Sequence, residues 1–530
     1  MSTATPAATS PSAGPVPQDW IGGLKENVKF DIVSGFVIFL IALPLCLAIA
    51  IASGAPPIAG VITGFIGGIV GSLLSGSHLT INGPAAGMIV VVLGVVSSLA
   101  DNPGDITTGF KYALAVGAVC GLIQIALGFI GAGAMTNMFN LSVVHGMLAG
   151  IGLIVMGKQI HVALGVTVKG NMFQTYAAIP SSFMNMNKSA AIIGGLAILI
   201  MALWPKVPKL SKLIPAPLLV IFVTVPLASA FNLSPEYLVK VPLDFLASFT
   251  SPDWSKVATG VFWKGVFVYV FVASLESLLT ASAVDKLDPW KRRSNMNREL
   301  VGKGAANALC GFIGGLPMIA EVVRSKANIM NNARTRWSNF FHGLFLLLAV
   351  AMIPAVLNKI PLAALAGMLV FIGFNLAHPR EFKHVAKIGK EEIFFMVATA
   401  LGVVFIDLLW GVIGGMVLAV LVNVFRGVPI GSLIKATTNI ETNGDTVTIH
   451  LQSAAGFNNF LSIRKLLDKL PKGKNIVIDY SGAGFVDHTV RERFHEFESE
   501  YGSTGGTVTY TGMSGHQPSS NHPLSALVRA

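Results

Sequence analysis

Charge is what this chain has least of. Asp, Glu, Lys and Arg together make up 12% of its 530 residues, about half the share of a typical soluble domain. Cysteine is scarce too: Cys46, Cys120 and Cys310 are the only three, and each sits inside an apolar run. No Cys/His spacing suits zinc or a disulfide framework, so core packing is the expected role of all three. No Walker loop, Ser-His-Asp arrangement or metal motif stands out, which argues against ATP-driven transport and against hydrolysis. The chain does not read as an enzyme and calls for no cofactor beyond a coupling ion. No cleavable signal peptide is evident. Residues 1–17 are rich in Ser, Pro, Ala and Thr, hold no Lys or Arg, and are expected to form a disordered tail.

What the chain has instead is apolar length. Hydrophobic residues make up 53% and Gly contributes 56; the mean hydropathy is +0.68. Gly is tolerated better in membrane helices than in soluble ones. The net charge of +11 would suggest nucleic acid in a soluble protein. Here the cations fall in short loops, and no basic patch carries interleaved aromatics, so nucleic acid is set aside.

The segment 18–29 reads as amphipathic, fit to lie along a membrane surface. Apolar runs follow at about 32–52, 57–76, 84–100, 110–131, 141–163, 189–204, 213–231, 262–285, 300–315, 318–331, 337–357, 361–377, 391–409 and 410–427. Many reach the roughly 20 residues that cross hydrocarbon. About fourteen spans return the C-terminus to the side of the N-terminus. With both termini in the cytoplasm, the inner loops 205–212, 285–298, 331–337 and 379–390 hold fourteen Lys and Arg, while 53–57 and 100–109 hold none. That is the positive-inside pattern of a multi-pass inner-membrane protein. Beyond about 433 the chain turns polar. Val447, Ile449 and Leu451 alternate as in a strand, 459–470 is helical, 475–480 and 507–511 are strands, and 490–501 is helical. Alternating strands and helices predict a small α/β domain over 433–530, with an irregular tail after Gly512. The transport domain spans 18–430.

Two short spans open on Gly-Pro breaks: Thr80-Ile81-Asn82-Gly83-Pro84-Ala85-Ala86-Gly87, and Gly314-Gly315-Leu316-Pro317-Met318-Ile319-Ala320. Half-helices of this kind meet at the bilayer midplane in transporters and aim their N-termini at anions. The unpaired N–H groups and partial positive charge of a first turn supply what an anion leaving water needs. Ordinary Gly/Pro kinks are the bland alternative. Arg324 lies about two turns into the second short helix, a depth at which arginine is expensive and a functional candidate by default. Its alternatives are snorkelling or pairing with Glu321 at i,i+3. Glu276 lies deep in an apolar span and must be paired, protonated or bound to a cation. It is a candidate site for coupling H⁺ or Na⁺, with Thr280 four residues on as an oxygen ligand; a salt bridge to Arg324 is the alternative. Asp407, His145, His342 and Lys158 read as packing or loop anchors.

The chain resembles the SulP family of anion permeases, which includes the animal solute carrier family 26. Ile41-Ala42-Leu43-Pro44, the Asn82-Gly83-Pro84 break, the Glu276 span followed by Asn297-Arg298-Glu299-Leu300, and Gly315-Leu316-Pro317 with Arg324 carry the resemblance. It implies a seven-plus-seven inverted repeat, core and gate domains with elevator-like exchange, a homodimer and a C-terminal STAS-like domain. It implies a substrate site of Pro44, Leu45 and Ile49 from the first span, Ala85, Ala86 and Gly87 from the third, and Val323 and Arg324 from the tenth. Leu45, Ile49 and Val323 depart from the residues frequent in the family, leaving the site apolar apart from helix ends, Arg324 and Glu276. Thr489 aligns with the phosphorylated position of related regulatory domains, but the surrounding Phe485-Val486-Asp487-His488-Thr489 departs from their pattern, and its role is expected to be vestigial. The implied function is secondary transport of sulfate or bicarbonate. The alternatives are a passive anion channel or uncoupled exchanger, and a membrane-tethered signalling module.

Overall fold

The computed structural model describes residues 15–211, 214–426, 428–433, 435–502 and 505–529. Most of the expected N-terminal tail, residues 1–14, lies outside the described residues. Fourteen helices account for the fourteen apolar runs: α1 Trp20–Ala52, α2 Pro57–Leu74, α3 Ala86–Leu99, α4 Ile106–Phe129, α5 Leu141–Ala163, α6 Lys188–Leu203, α7 Ala216–Ala230, α8 Gly260–Leu287, α9 Met296–Ile313, α10 Val322–Met330, α11 Trp337–Met352, α12 Leu362–Leu376, α13 Lys390–Phe405 and α14 Leu408–Phe425. Among the described residues, eight helical stretches are long and apolar enough to cross a bilayer alone. At 1.5 Å per residue, α3 covers about 21 Å and α10 about 14 Å, too short for the roughly 30 Å of hydrocarbon.

Segment 18–29 is not a separate surface helix. It continues into α1 because nothing breaks the helix there and its polar residues find partners below. Asp31 accepts the backbone N–H groups of Arg334 and Thr335 at 2.8 and 3.1 Å. Asp19 holds the buried Arg336 through two bonds of 2.8 and 2.7 Å.

Packing follows a seven-plus-seven repeat. α4 lies on α9 as α11 lies on α2, and α5 lies on α13 as α12 lies on α6. Each pair maps onto the other when α1–α7 is exchanged for α8–α14. The helices approach closely at glycines: a Cβ on Gly68 would strike Gly343, and one on Gly152 would strike the backbone of Gly373. Small residues at such crossings are the usual basis of helix packing in lipid, where no hydrophobic force separates helix from solvent.

The C-terminal unit is a small α/β sheet, built from β3 Thr437–Asn443, β4 Thr446–Ala455, β5 Asn475–Val486, β6 Thr507–Thr511, β7 His516–Pro518 and β8 Leu527–Arg529, with α15 Phe460–Leu467 and α16 His488–Gly502. The strand order is β3-β4-β5-β8-β7, and β6 pairs with β5. Val447, Ile449, Ile476, Ile478, Phe494 and Phe497 lie in a core of its own. The tail expected to be irregular instead adds β7 and β8. Each is three residues long, too short for alternation to show, and β7 ends on a proline.

This unit docks on the helix ends. Glu496 and Glu500 pair with Lys286 in the last turn of α8 and Arg293 of the α8–α9 loop, both at 2.6 Å. Ser520 donates to the Ile388 carbonyl at 2.6 Å. Thr489 is fully buried, and its hydroxyl accepts the Leu141 N–H at the start of α5 at 3.3 Å. A hydroxyl so placed is closed to a kinase. Trp20 stacks on Arg298 at 4.7 Å, at the start of α9, so the N-terminal residues lie on the face that carries the C-terminal unit.

His488 opens α16 beside this contact. Burial works against its charge, but the Glu492 carboxylate at 3.4 Å, nearby Glu392, and the Leu524 carbonyl 2.7 Å from Nδ1 outweigh it and push its pKa up to about 9. Because the folded value lies above the unfolded one of roughly 6.5, the stabilisation is complete below that pH and disappears as pH rises through 9. In the full-length protein, trypsin cleavage within 435–529 is expected to accelerate between pH 7 and 9.5. In His488→Gln it is expected to be fast at pH 7 already and to show little of that pH dependence.

Candidate functional site

The two Gly-Pro breaks cross. Ile81–Gly83 forms β1 and Ile319–Glu321 forms β2, and the two run antiparallel with Ile81 opposite Glu321 and Gly83 opposite Ile319. Each strand feeds a half-helix, β1 into α3 and β2 into α10. Backbone groups stranded inside an apolar slab need partners, and this two-stranded ladder provides them. Neither half-helix is closed by its N-cap side chain: Ala85 has no polar atom to offer, and Glu321 makes no capping bond. Among the other spans α4, α5, α6, α8, α9 and α14 are capped by Asp105, Asn140, Asn187, Thr259, Asn295 and Asp407, and α2, α7, α11, α12 and α13 are not. The first-turn N–H groups of α3 and α10 are therefore left to another acceptor.

Arg324 sits on the buried side of α10, 1% exposed. Its Nη2 donates to the Pro84 carbonyl at 3.0 Å, its Nε lies 3.2 Å from the Glu321 carboxylate, and its Nη1 lies 3.8 Å from Cys46 Sγ. The pairing with Glu321 weighed from the spacing is present, and the one with Glu276 is not. Arg324 thus braces one break against the other. Sequence reasoning placed Cys46 in the packing core and missed this contact; nothing in its flanking residues signals it.

Glu276 comes from α8. It is 8% exposed, and its Oε1 has no hydrogen-bond partner among the described residues. Its carboxylate rests against Gly87 in the first turn of α3, where any added Cβ would overlap both oxygens. Thr280 is buried one turn further along α8. Pro44, Leu45 and Ile49 are buried in α1, which packs against both α3 and α10. Ala85 is buried, Ala86 partly so. Val323 lies elsewhere: it is 77% exposed, on the face of α10 that also carries Val322, Lys326 and Met330, opposite Arg324, Ser325 and Asn328. At 100° per residue, neighbours in sequence need not share a face.

Of the four residues expected to pack or anchor, Asp407 and His145 make polar contacts, and His342 is fully buried with neither ring nitrogen hydrogen-bonded among the described residues. Asp407 caps α14 through the Leu409 N–H at 2.9 Å, and His145 lies 3.8 Å from Glu381. Among the described residues, no group of three or more His, Cys, Asp or Glu could hold a metal ion. Gln124 and Asn307, lone amides in apolar spans, went unremarked in the sequence although polarity at that depth is itself a signal. Both are fully buried behind the second break.

Comparison with known proteins agrees with this architecture. The chain is 28% identical over 404 residues to the Bacillus subtilis sulfate transporter YvdB, covering 74% of this chain and 73% of that one. It is 27% identical over 409 residues to the bicarbonate transporter BicA of Picosynechococcus, covering 76% and 71%. The solved transmembrane domain of a cyanobacterial BicA superposes with a TM-score of 0.63 at 24% identity, over 74% of this chain and 97% of that one. SLC26A9 superposes with a TM-score of 0.68 at 17% identity, over 92% and 85%. The sulfate permease family pattern matches residues 28–399, and the chain belongs to that family of multi-pass anion-transporting membrane proteins.

Proposed function

We propose that the protein is a secondary active transporter of a small inorganic anion, sulfate or bicarbonate. The observation that carries this reading is the pair of uncapped helix N-termini at crossed breaks, braced by Arg324 and faced by Glu276, whose Oε1 has no hydrogen-bond partner among the described residues. The anion binds to the first turns of α3 and α10, with Ala85, Ala86 and Gly87 on one side, Arg324 bracing the other, and Pro44, Leu45 and Ile49 of α1 as the apolar wall. Glu276, with Thr280, takes the coupling H⁺ or Na⁺. A coupling carboxylate has little purpose in a passive channel. The names of the relatives YvdB and BicA support the substrate class.

The body made by α1–α4 with α8–α11 moves as an elevator against α5–α7 with α12–α14. The C-terminal STAS-like domain is cytoplasmic with the N-terminus, in the inner membrane, and the working unit is a homodimer.

Uptake of labelled sulfate and bicarbonate into proteoliposomes under an imposed pH or Na⁺ gradient tests the reading. Glu276→Gln is expected to retain its fold and lose dependence on the driving gradient; coupled uptake equal to the parent's would sink its coupling role. Arg324→Ala unbraces the breaks and leaves Glu321 buried without a cation, and is expected to raise the half-saturating anion concentration about tenfold, about 1.4 kcal/mol. Gly87→Ala forces the Glu276 carboxylate aside, an overpacking worth about 1–3 kcal/mol, and is expected to impair uptake of either anion. Deleting 433–530 is expected to leave flux measurable, against a signalling module.

A further inference from the structure

The two breaks are gripped at matching positions. Asn82 and Met318 each lie three residues before the N-cap of a half-helix, Ala85 and Glu321. An amide side chain from a scaffold helix holds the backbone at each. Asn339 of α11 accepts the Asn82 N–H at 3.2 Å and donates to the Gly67 carbonyl at 3.1 Å. Asn307 of α9 accepts the Met318 N–H at 2.6 Å and donates to the Met318 carbonyl at 3.3 Å.

The likeness ends there. Asn307 also donates to Gln124 Oε1 of α4 at 2.8 Å. Gln124 in turn donates through Nε2 to Ser274 Oγ of α8 at 3.0 Å. Ser277, also of α8, accepts the Ala320 N–H at 3.3 Å. The second break is thus tied twice to the helix that carries Glu276. The chain entering the first break is held instead from α1 and α10, where Ser34 donates to Asn328 at 2.7 Å and Asn328 donates to the Leu79 carbonyl at 3.1 Å. Asn307 and Gln124 are fully buried, where an incomplete amide is costly and an apolar residue would serve packing better.

We propose that Asn307, backed by Gln124, is a positioning residue that sets where the N-terminus of α10 points relative to Glu276, and so the affinity for the anion. It acts through Met318 and not by touching the anion. The inference rests on the anion site proposed above.

The test is the anion dependence of uptake into proteoliposomes for the parent, Asn307→Ala and Gln124→Leu, with folding checked by gel filtration. Anion-induced thermal stabilisation gives a second reading of affinity. Both variants are expected to raise the half-saturating concentration, Asn307→Ala by about fivefold, the scale of one buried hydrogen bond, with the maximal rate per folded molecule kept. Unchanged half-saturation together with a lower maximal rate or yield would mean a merely structural amide and overturn the proposal. If Asn307→Ala does not fold, Gln124→Leu decides alone, since Asn307 keeps both its bonds to Met318. A parent that shows neither uptake nor stabilisation by sulfate or bicarbonate removes the anion site itself, and this inference with it. Parent uptake with unaltered affinity in the variants removes the positioning role only.

Discussion

A polypeptide broken in the middle of an apolar slab has to pair the backbone groups that the break exposes. That constraint organises the centre of this protein. Each break supplies the other's partners through the ladder Ile81–Gly83 with Ile319–Glu321. What the ladder leaves over is taken by side chains: Asn339 and Asn307 for the amides three residues before each half-helix, and Thr63 for the Leu316 N–H at 2.6 Å. The first turns of α3 and α10 receive no N-cap side-chain bond, and a ligand would sit there. Satisfying the rest of the break is what makes those first-turn N–H groups available.

The same constraint fixes the surroundings. The breaks can pair only if α2, α9 and α11 come close enough to grip them, and close approach needs small residues. Gly68 and Gly343 let α2 and α11 touch along their backbones, and Gly67 presents its carbonyl to both Asn82 and Asn339. At the face that carries the C-terminal unit, Glu299 is held by Lys303 at 2.5 Å and by the N–H groups of Gly76 and Ser77, which anchors the chain leaving α2 towards the first break. Removing one partner of so buried a pair would leave an uncompensated charge.

The sequence made the helices legible because hydropathy runs need no tertiary information. All fourteen overlap the expected apolar runs, although the junction read at 409/410 falls at Ile406–Asp407. The breaks were legible for a similar reason, since Gly-Pro punctuates any helix. What escaped was contact across the fold. Cys46 looks like any small core residue until α10 delivers Arg324 beside it. Val323 follows its neighbour Arg324 in sequence but not in direction. Strands β7 and β8 are held by β5 and by each other, so their own residues carry no pattern. Gln124 and Asn307 were readable as polar residues in spans, and only the fold shows that they meet.

On the proposed reading, the charge at the crossing accounts for the need to move a cation with the anion. Arg324 is engaged by Glu321 at 3.2 Å, so that pair adds no net charge. Two helix N-termini add roughly half a positive charge each. An ionised Glu276, lying against Gly87, cancels about that much and leaves the site without preference for an anion. A proton or Na⁺ on Glu276 restores the positive balance. Anion and cation then favour each other within one small volume. With a monovalent anion such as bicarbonate the loaded site is close to neutral, the condition under which a charged cargo crosses a low-dielectric slab at least cost, whereas divalent sulfate leaves about one negative charge over. A site built from helix ends instead of fixed lysines is suited to this, because its positive charge is partial and one titrating carboxylate is enough to switch it.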